Sequence, residues 1–238
     1  MDFLISFFSE FWHLALISAA AAYLISSVNT SIIVTRIVKN EDIRNLGSGN
    51  AGFTNVLRCV GKVPAIITFI GDFLKGVISI LIPFFLTLQM DKPDIALYRG
   101  ILMYIASLFV VFGHMFPVYY KFRGGKGVVA TASVMLITDW RVLVVELIIF
   151  AVMFILTKTI SKCSIVNAAF YPVITAVLRI LDAAGVLSFI APTPAPTPVF
   201  IWCISIIAFI NGAAIIIKHK DNIKRILDGT EKKITNTK

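Results

Sequence analysis

Charge is scarce in this chain. Only 15% of its 238 residues are charged, against 58% hydrophobic, and the mean hydropathy is +0.89. A soluble domain carries about 25% charged residues, so the balance excludes an ordinary soluble protein. Acidic residues are fewer still, 13 against 22 basic ones. The surplus of +9 suits loops beside anionic lipid, and no nucleic-acid module is present. Three cysteines, Cys59, Cys163 and Cys203, show no metal-ligand spacing and predict no disulfide in a reducing compartment. None of the three histidines opens an H-x-x-x-x-D dyad, since His13, His114 and His219 are followed in that register by Ser18, Tyr119 and Lys224. A G-x-S-x-G elbow, a P-loop and a metal cluster are missing as well. Nothing calls for a cofactor. The opening MDFLISFFSEF is acidic and does not read as a cleaved signal peptide.

Long apolar runs fill most of the chain. Seven candidate spans are read at about 12–37, 63–88, 100–116, 127–138, 142–157, 165–180 and 199–217, the fourth being the shortest. This predicts an all-α integral membrane protein forming one domain over 1–238, with residues 218–238 as a tail. If all seven cross, one side receives Arg36, Lys39, Arg44, Arg58, Lys62, Lys121, Arg123, Lys126, Lys158, Lys162 and the basic tail, and the other only Lys92, Arg99, Arg141 and Arg179. The positive-inside rule then puts the N-terminus outside and the C-terminus in the cytosol. The outer segments DKPD, Asp139-Trp140 and TPAPTP (193–198) read as connectors. Glu146 and Arg179, near outer ends of spans, are expected to snorkel. No internal repeat is seen, which weighs against a transporter built from matching halves.

Polar chemistry collects in the predicted cytosolic segments. Between the first two spans stands LGSGNAGFTNVLR (46–58). Gly47, Gly49 and Gly52 allow backbone turns that could aim N–H groups at one anion. Ser48, Asn50 and Asn55 add side-chain donors and Arg58 a cationic fork. The spacing Gly47-x-Gly49-x-x-Gly52 also matches the dinucleotide fingerprint, but no strand precedes it, which excludes that reading. A plain Gly/Asn turn is the alternative. Farther on, Gly124, Gly125 and Gly127 surround Lys126 before the next apolar segment, an arrangement suited to phosphate or simply to a basic juxtamembrane turn. His114 precedes that loop as a structural or proton-carrying histidine. Asp72 and Lys75, spaced i, i+3, share one helix face inside a span and pair with each other or orient a site residue. Ser161 and Ser164 lie in the loop before the sixth span. In the tail, His219, Asn222 and Arg225 form the polar side of a short interfacial helix that Gly229 ends, with Glu231 beyond.

In this order, LGSGNAGFTNVLR, GDFLKG, GHMFPVYYKFRGGKGVVAT and HKDNIKRILDGTE resemble the bacterial acyl-phosphate-dependent glycerol-3-phosphate acyltransferases, the PlsY family, over about 23–231. The resemblance implies a seven-helix inner-membrane enzyme that moves a fatty acyl group from acyl phosphate to the 1-hydroxyl of sn-glycerol 3-phosphate. It also implies coupling to an enzyme that makes acyl phosphate. Carried over by motif, Ser48, Arg58, Lys126, Ser164 and His219 are functional positions, with Asn50, Asn55, Asn222 and Arg225 in support. Departures are Ser26-Ser27-Val28-Asn29, where the family usually has Gly-Ser-x-Pro, Gly52-Phe53-Thr54-Asn55 in place of Gly-Ala-Thr-Asn, and the absence of a tyrosine before Ser161. An organic-phosphate transporter and a structural lipid-binding protein are the rival classes.

Overall fold

In the computed structural model, residues 2–187 and 195–234 are described. All their regular secondary structure is helical. They form two compact units, Asp2–Thr138 and the described part of Asp139–Lys238. Six stretches among the described residues are long and apolar enough to cross a bilayer, whereas Val128–Thr138 is shorter. Thr193 and Pro194 of the expected TPAPTP connector lie outside the described residues.

The first unit holds α1 (Asp2–Ser26), α2 (Thr30–Lys39), α3 (Phe53–Cys59), α4 (Lys62–Leu86), α5 (Ile95–Met115) and α6 (Val128–Thr138). The single span expected at 12–37 starts earlier and breaks at Ser27–Asn29. Asn29 causes the break. Its extended backbone ends α1, and its side chain accepts from Ile32 N at 3.2 Å and Ser31 Oγ at 2.6 Å, starting α2 as an N-cap. Lys75 Nζ donates to the Val28 carbonyl at the break (2.7 Å) while pairing with Asp72 at 2.9 Å. A buried lysine thus satisfies a backbone carbonyl that the helix break leaves without a helical partner. At the other end of α4 the Arg99 fork donates to Thr87 Oγ1 (2.8 Å) and Thr87 O (2.9 Å), capping the helix. The core between α1, α4, α5 and α6 is made of Ala22, Ile80, Met103, Ala106, Val110, Ala130 and Val134. Small residues let the backbones approach, which is how helices associate in lipid.

The second unit holds α7 (Trp140–Thr157), α8 (Ile160–Ala183), α9 (Pro198–Lys218) and α10 (Lys220–Leu227). α8 begins five residues earlier than expected, so Ser161 and Ser164 lie in its opening turns and not in a loop. Arg179 and Glu146 do not snorkel. Arg179 pairs with Asp139 (3.1 Å) and Asp182 (3.4 Å), and Arg141 bridges the same two carboxylates at 2.7 Å each. Two arginines and two aspartates neutralise one another, which permits their burial. Glu146 is buried, 2% exposed, because α8 packs over it and Asn167 Nδ2 donates to its carbonyl at 2.7 Å.

Pro172 lies inside α8 and has no N–H for the Ala168 carbonyl. Gly212 of α9 packs directly over that carbonyl, where any Cβ would collide with it. Gly212→Ala is therefore expected to destabilise the protein by about 1–3 kcal/mol. A thermal-unfolding midpoint measured in detergent checks this, and an unchanged midpoint contradicts the contact.

Candidate functional site

In the first unit the glycine loop is a packed element. Ile43, Ala51 and Val56 are fully buried beneath it with Ile32 and Ala65. Gly47 adopts φ +56°, and a Cβ there would lie 2.5 Å from both Asn55 Oδ1 and Cys59 Sγ. Asn55 is the staple: its oxygen accepts from Ser48 N (3.0 Å), and its amide donates to Ile43 O (3.2 Å) and Leu46 O (2.9 Å). Its carboxamide thus works from behind the loop. Gly49 N donates to Leu46 O (2.9 Å) and Gly52 N to Asn50 O (3.1 Å). The expected anion nest therefore does not hold at Ser48, Gly49 and Gly52, whose N–H groups already close the turn. The loop instead presents side chains, with Ser48 exposed, Asn50 half-buried and Arg58 exposed on the last turn of α3.

The second glycine turn is built against the first. Gly125 packs on the Ala51 carbonyl, 2.5 Å from where a Cβ would stand, and on His114 Nε2. Gly124 N donates to Met115 O (3.2 Å) and Gly125 N to His114 O (3.1 Å), so these N–H groups are also engaged. His114 stands behind the turn, buried, with Nδ1 3.9 Å from Asp72 Oδ1, beyond hydrogen-bond reach. Lys126 follows, half-buried, and Gly127 at φ +84° leads into α6. The structure thus gathers Ser48, Asn50, Asn55, Gly124, Gly125 and Lys126 around one backbone contact.

In the second unit a carboxylate gathers the tail. Glu231 accepts from Ser161 Oγ (2.6 Å), Asn222 Nδ2 (2.7 Å) and Arg225 Nε (2.7 Å). Ile234 N donates to Lys158 O at 2.8 Å and straps the chain down. Ser161 and Ser164 differ in role: Ser164 Oγ donates back to Ile160 O (3.0 Å) along its own helix. His219, between α9 and α10, is 3% exposed, and its Nδ1 lies 2.8 Å from the Ile215 carbonyl. A carbonyl only accepts, so Nδ1 carries the hydrogen and Nε2 is the basic nitrogen of the neutral ring.

These motifs match known proteins over most of the chain. A family model described as glycerol-3-phosphate acyltransferase fits residues 16–229. The glycerol-3-phosphate acyltransferase of Clostridioides difficile (strain 630) is 36% identical over 219 residues, covering 92% of this chain and 95% of that protein. The chain belongs to the glycerol-3-phosphate acyltransferase family. Its Enterococcus faecalis (strain ATCC 700802 / V583) member is 30% identical over 214 residues, covering 90% and 89%. The crystal structure of the integral membrane acyltransferase PlsY (YgiH) in its glycerol 3-phosphate form superposes with a TM-score of 0.71 at 29% identity, covering 93% and 96%. Its lysophosphatidic acid form gives 0.66 at 28% identity. The chain is thus an integral membrane protein of the PlsY family.

Sequence reasoning overlooked three residues that hold the site. Tyr23 Oη donates to Phe116 O (2.8 Å) and anchors the start of the second loop. Asp42 and Arg44 brace the first, and their signal was the D-x-R spacing just before the glycine run, which forms an Asx turn with Arg44 N donating to Asp42 Oδ1 (2.9 Å).

Burial alone would raise the Glu231 pKa, but the hydrogen bonds from Ser161, Arg225 and Asn222 outweigh it and hold the carboxyl below its ordinary value. A depressed folded pKa contributes stability that is complete above the unfolded value and is lost as pH falls toward the folded one. Amide-exchange protection of Thr230 and Glu231, which both donate to Arg225 O, is expected to stay level down to about pH 4.3 and fall below it. Glu231→Gln should lower that protection at neutral pH. Protection in the variant equal to wild type would contradict the carboxylate's role.

Proposed function

We propose that the protein transfers a fatty acyl group from acyl phosphate to the 1-hydroxyl of sn-glycerol 3-phosphate, giving lysophosphatidic acid and inorganic phosphate, the first step of phospholipid synthesis. One observation carries the reading: Lys126 emerges from a glycine turn packed on the glycine loop of Ser48 and Arg58, in a chain of this acyltransferase family. Both substrates are phosphate esters or anhydrides, and phosphate is what leaves. In the first unit Arg58 and Lys126 supply countercharge and Ser48 and Asn50 polar contacts; in the second unit Arg225, Ser164 and Asn222 offer groups of the same kinds. Asn55, the glycines, Asp72, Lys75, His114, Ser161 and Glu231 hold those groups in place.

The glycerol hydroxyl oxygen attacks the acyl carbonyl carbon directly. A new C–O ester bond forms as the acyl–phosphate C–O bond breaks, and Lys126 and Arg58 stabilise the charge gathering on the departing phosphate. The hydroxyl proton passes to His219 Nε2 or to an oxygen of the leaving phosphate, and a His219→Gln variant separates the two. Acyl phosphate is already activated, so positioning supplies much of the rate, up to ~7–11 kcal/mol. With α6 as the seventh crossing, the N-terminus lies outside and the basic loops and tail face the cytosol of a bacterial inner membrane, as the positive-inside rule asks. The acyl chain reaches the site from the lipid, and a partner enzyme that makes acyl phosphate supplies the donor.

Lys126→Ala is expected to lower kcat roughly 10²–10³-fold while the protein remains folded in the membrane. Acyl-transfer assays on the purified variant check this, and wild-type turnover would remove Lys126 from the mechanism. Quenching the wild type with labelled acyl phosphate should trap no acyl-protein. A covalent adduct would overturn direct transfer.

A further inference from the structure

The loop that carries Lys126 is held in an unfavourable shape. Lys121 and Phe122 are consecutive non-glycine residues in the left-handed region, at φ +56° and +58°, where a side chain crowds its own backbone. Both side chains are exposed, so burial of their own groups does not hold them there. Backbone bonds hold part of the turn: Tyr120 N and Phe122 N both donate to Pro117 O, at 3.1 and 3.0 Å. Such a conformation persists only where the surroundings over-determine it.

Arg123 N donates to Tyr120 O across the pair (3.3 Å), and a side-chain restraint is added from just before the first loop. Arg44 Nη1 donates to Tyr120 O at 2.7 Å and to Arg123 O at 3.3 Å, on either side of the left-handed pair. The guanidinium is itself fixed: Nε donates to Asp42 Oδ1 (3.0 Å) and Nη2 to Asp42 Oδ2 (2.7 Å). The planar fork of arginine holds its N–H groups in fixed directions, so it grips both oxygens of the Asp42 carboxylate while it reaches the two carbonyls. The Arg44 carbonyl in turn lies 3.2 Å from where a Cβ of Gly49 would stand, so the clamp continues into the glycine loop. The hydrogen bond from Arg44 holds the Asp42 carboxyl below its ordinary value, and Asp42 holds the guanidinium charged, so the pair stays intact across physiological pH.

We propose that Arg44 is a positioning residue for acyl transfer: locked by Asp42, it clamps the Tyr120 and Arg123 carbonyls and so sets where Lys126 stands relative to the glycine loop. Arg44 touches neither substrate in this role, and the proposal rests on the reading of Lys126 given above.

The test compares wild type with Arg44→Lys, which keeps the charge and loses the fork, in full-length protein in detergent. Limited trypsin digestion reads the loop directly, because Lys121 and Arg123 lie within it and the substitution leaves position 44 basic. Cleavage after Lys121 and Arg123 is expected to quicken at least about tenfold, while sites in the 218–234 tail are cut at the wild-type rate. In acyl-transfer assays kcat should fall roughly 10–100-fold with the KM of each substrate within about threefold. If Arg44→Lys fails to fold, Asp42→Asn, which keeps the guanidinium and frees it to move, should show both effects in milder form. Cleavage of the loop at the wild-type rate overturns the clamp, whatever the activity. Faster cleavage with unchanged kcat overturns the positioning role. Were the wild type itself inactive in acyl transfer, the functional reading would fall, and the digestion would still decide the clamp.

Discussion

The first unit is organised around one backbone contact, Gly125 against the Ala51 carbonyl. Two loops more than seventy residues apart can meet there only because position 125 carries no side chain. Much of the unit serves that meeting. Ile43, Ala51 and Val56 give the first loop an apolar floor. Asn55 closes it, and α5 delivers His114 and Met115, whose carbonyls receive the N–H groups of Gly125 and Gly124. The lysine next in sequence is thereby fixed beside a loop bearing Ser48 and, one short helix later, Arg58. A cation held on bonded backbone is pre-organised, and pre-organisation is what makes charge effective on a phosphate in reaction.

The second unit solves a similar problem with a carboxylate. Glu231 draws Ser161, Asn222 and Arg225 to itself from two helices. This leaves a short helix, α10, with its polar side ordered and Leu227 exposed. Several buried charges elsewhere in both units are given partners inside the protein. Lys75 meets Asp72 and a stranded carbonyl, Arg99 caps α4, and Arg141 and Arg179 share Asp139 and Asp182. Ionisable groups at membrane depth are costly, and these pairings reduce the cost.

Hydropathy made the helices legible, because a membrane leaves an apolar run little choice but helix. It was blind to the polar residues that extend them: α8 runs on through Ser161 at one end and Asp182 at the other. The break at Ser27–Asn29 was hidden because the polar stretch Ser26-Ser27-Val28-Asn29-Thr30-Ser31 is short and lies between two apolar stretches. Arg179 and Glu146 misled because a charge near the end of a span looks the same whether it reaches for water, for a partner as Arg179 does, or is buried as Glu146 is. The clustering of site motifs was readable from composition and spacing. The use of their N–H groups was not, because whether a glycine N–H faces a ligand or a carbonyl depends on how the turn closes, on Leu46 and Asn50 in the first loop and on His114 and Met115 in the second. Asp42 and Arg44 went unnoticed because a charged pair before a loop looks like an ordinary solvated turn.

The proposed reaction is acyl transfer between two phosphate-bearing substrates, with no intermediate on the chain and no thioester donor. Purified protein given palmitoyl phosphate and glycerol 3-phosphate measures that most directly, with phosphate and lysophosphatidic acid quantified together and each substrate omitted in turn. The prediction is that the two products appear in equal amounts and that omitting either substrate stops both. Phosphate release without glycerol 3-phosphate, or lysophosphatidic acid formed from palmitoyl-CoA without acyl phosphate, would contradict it.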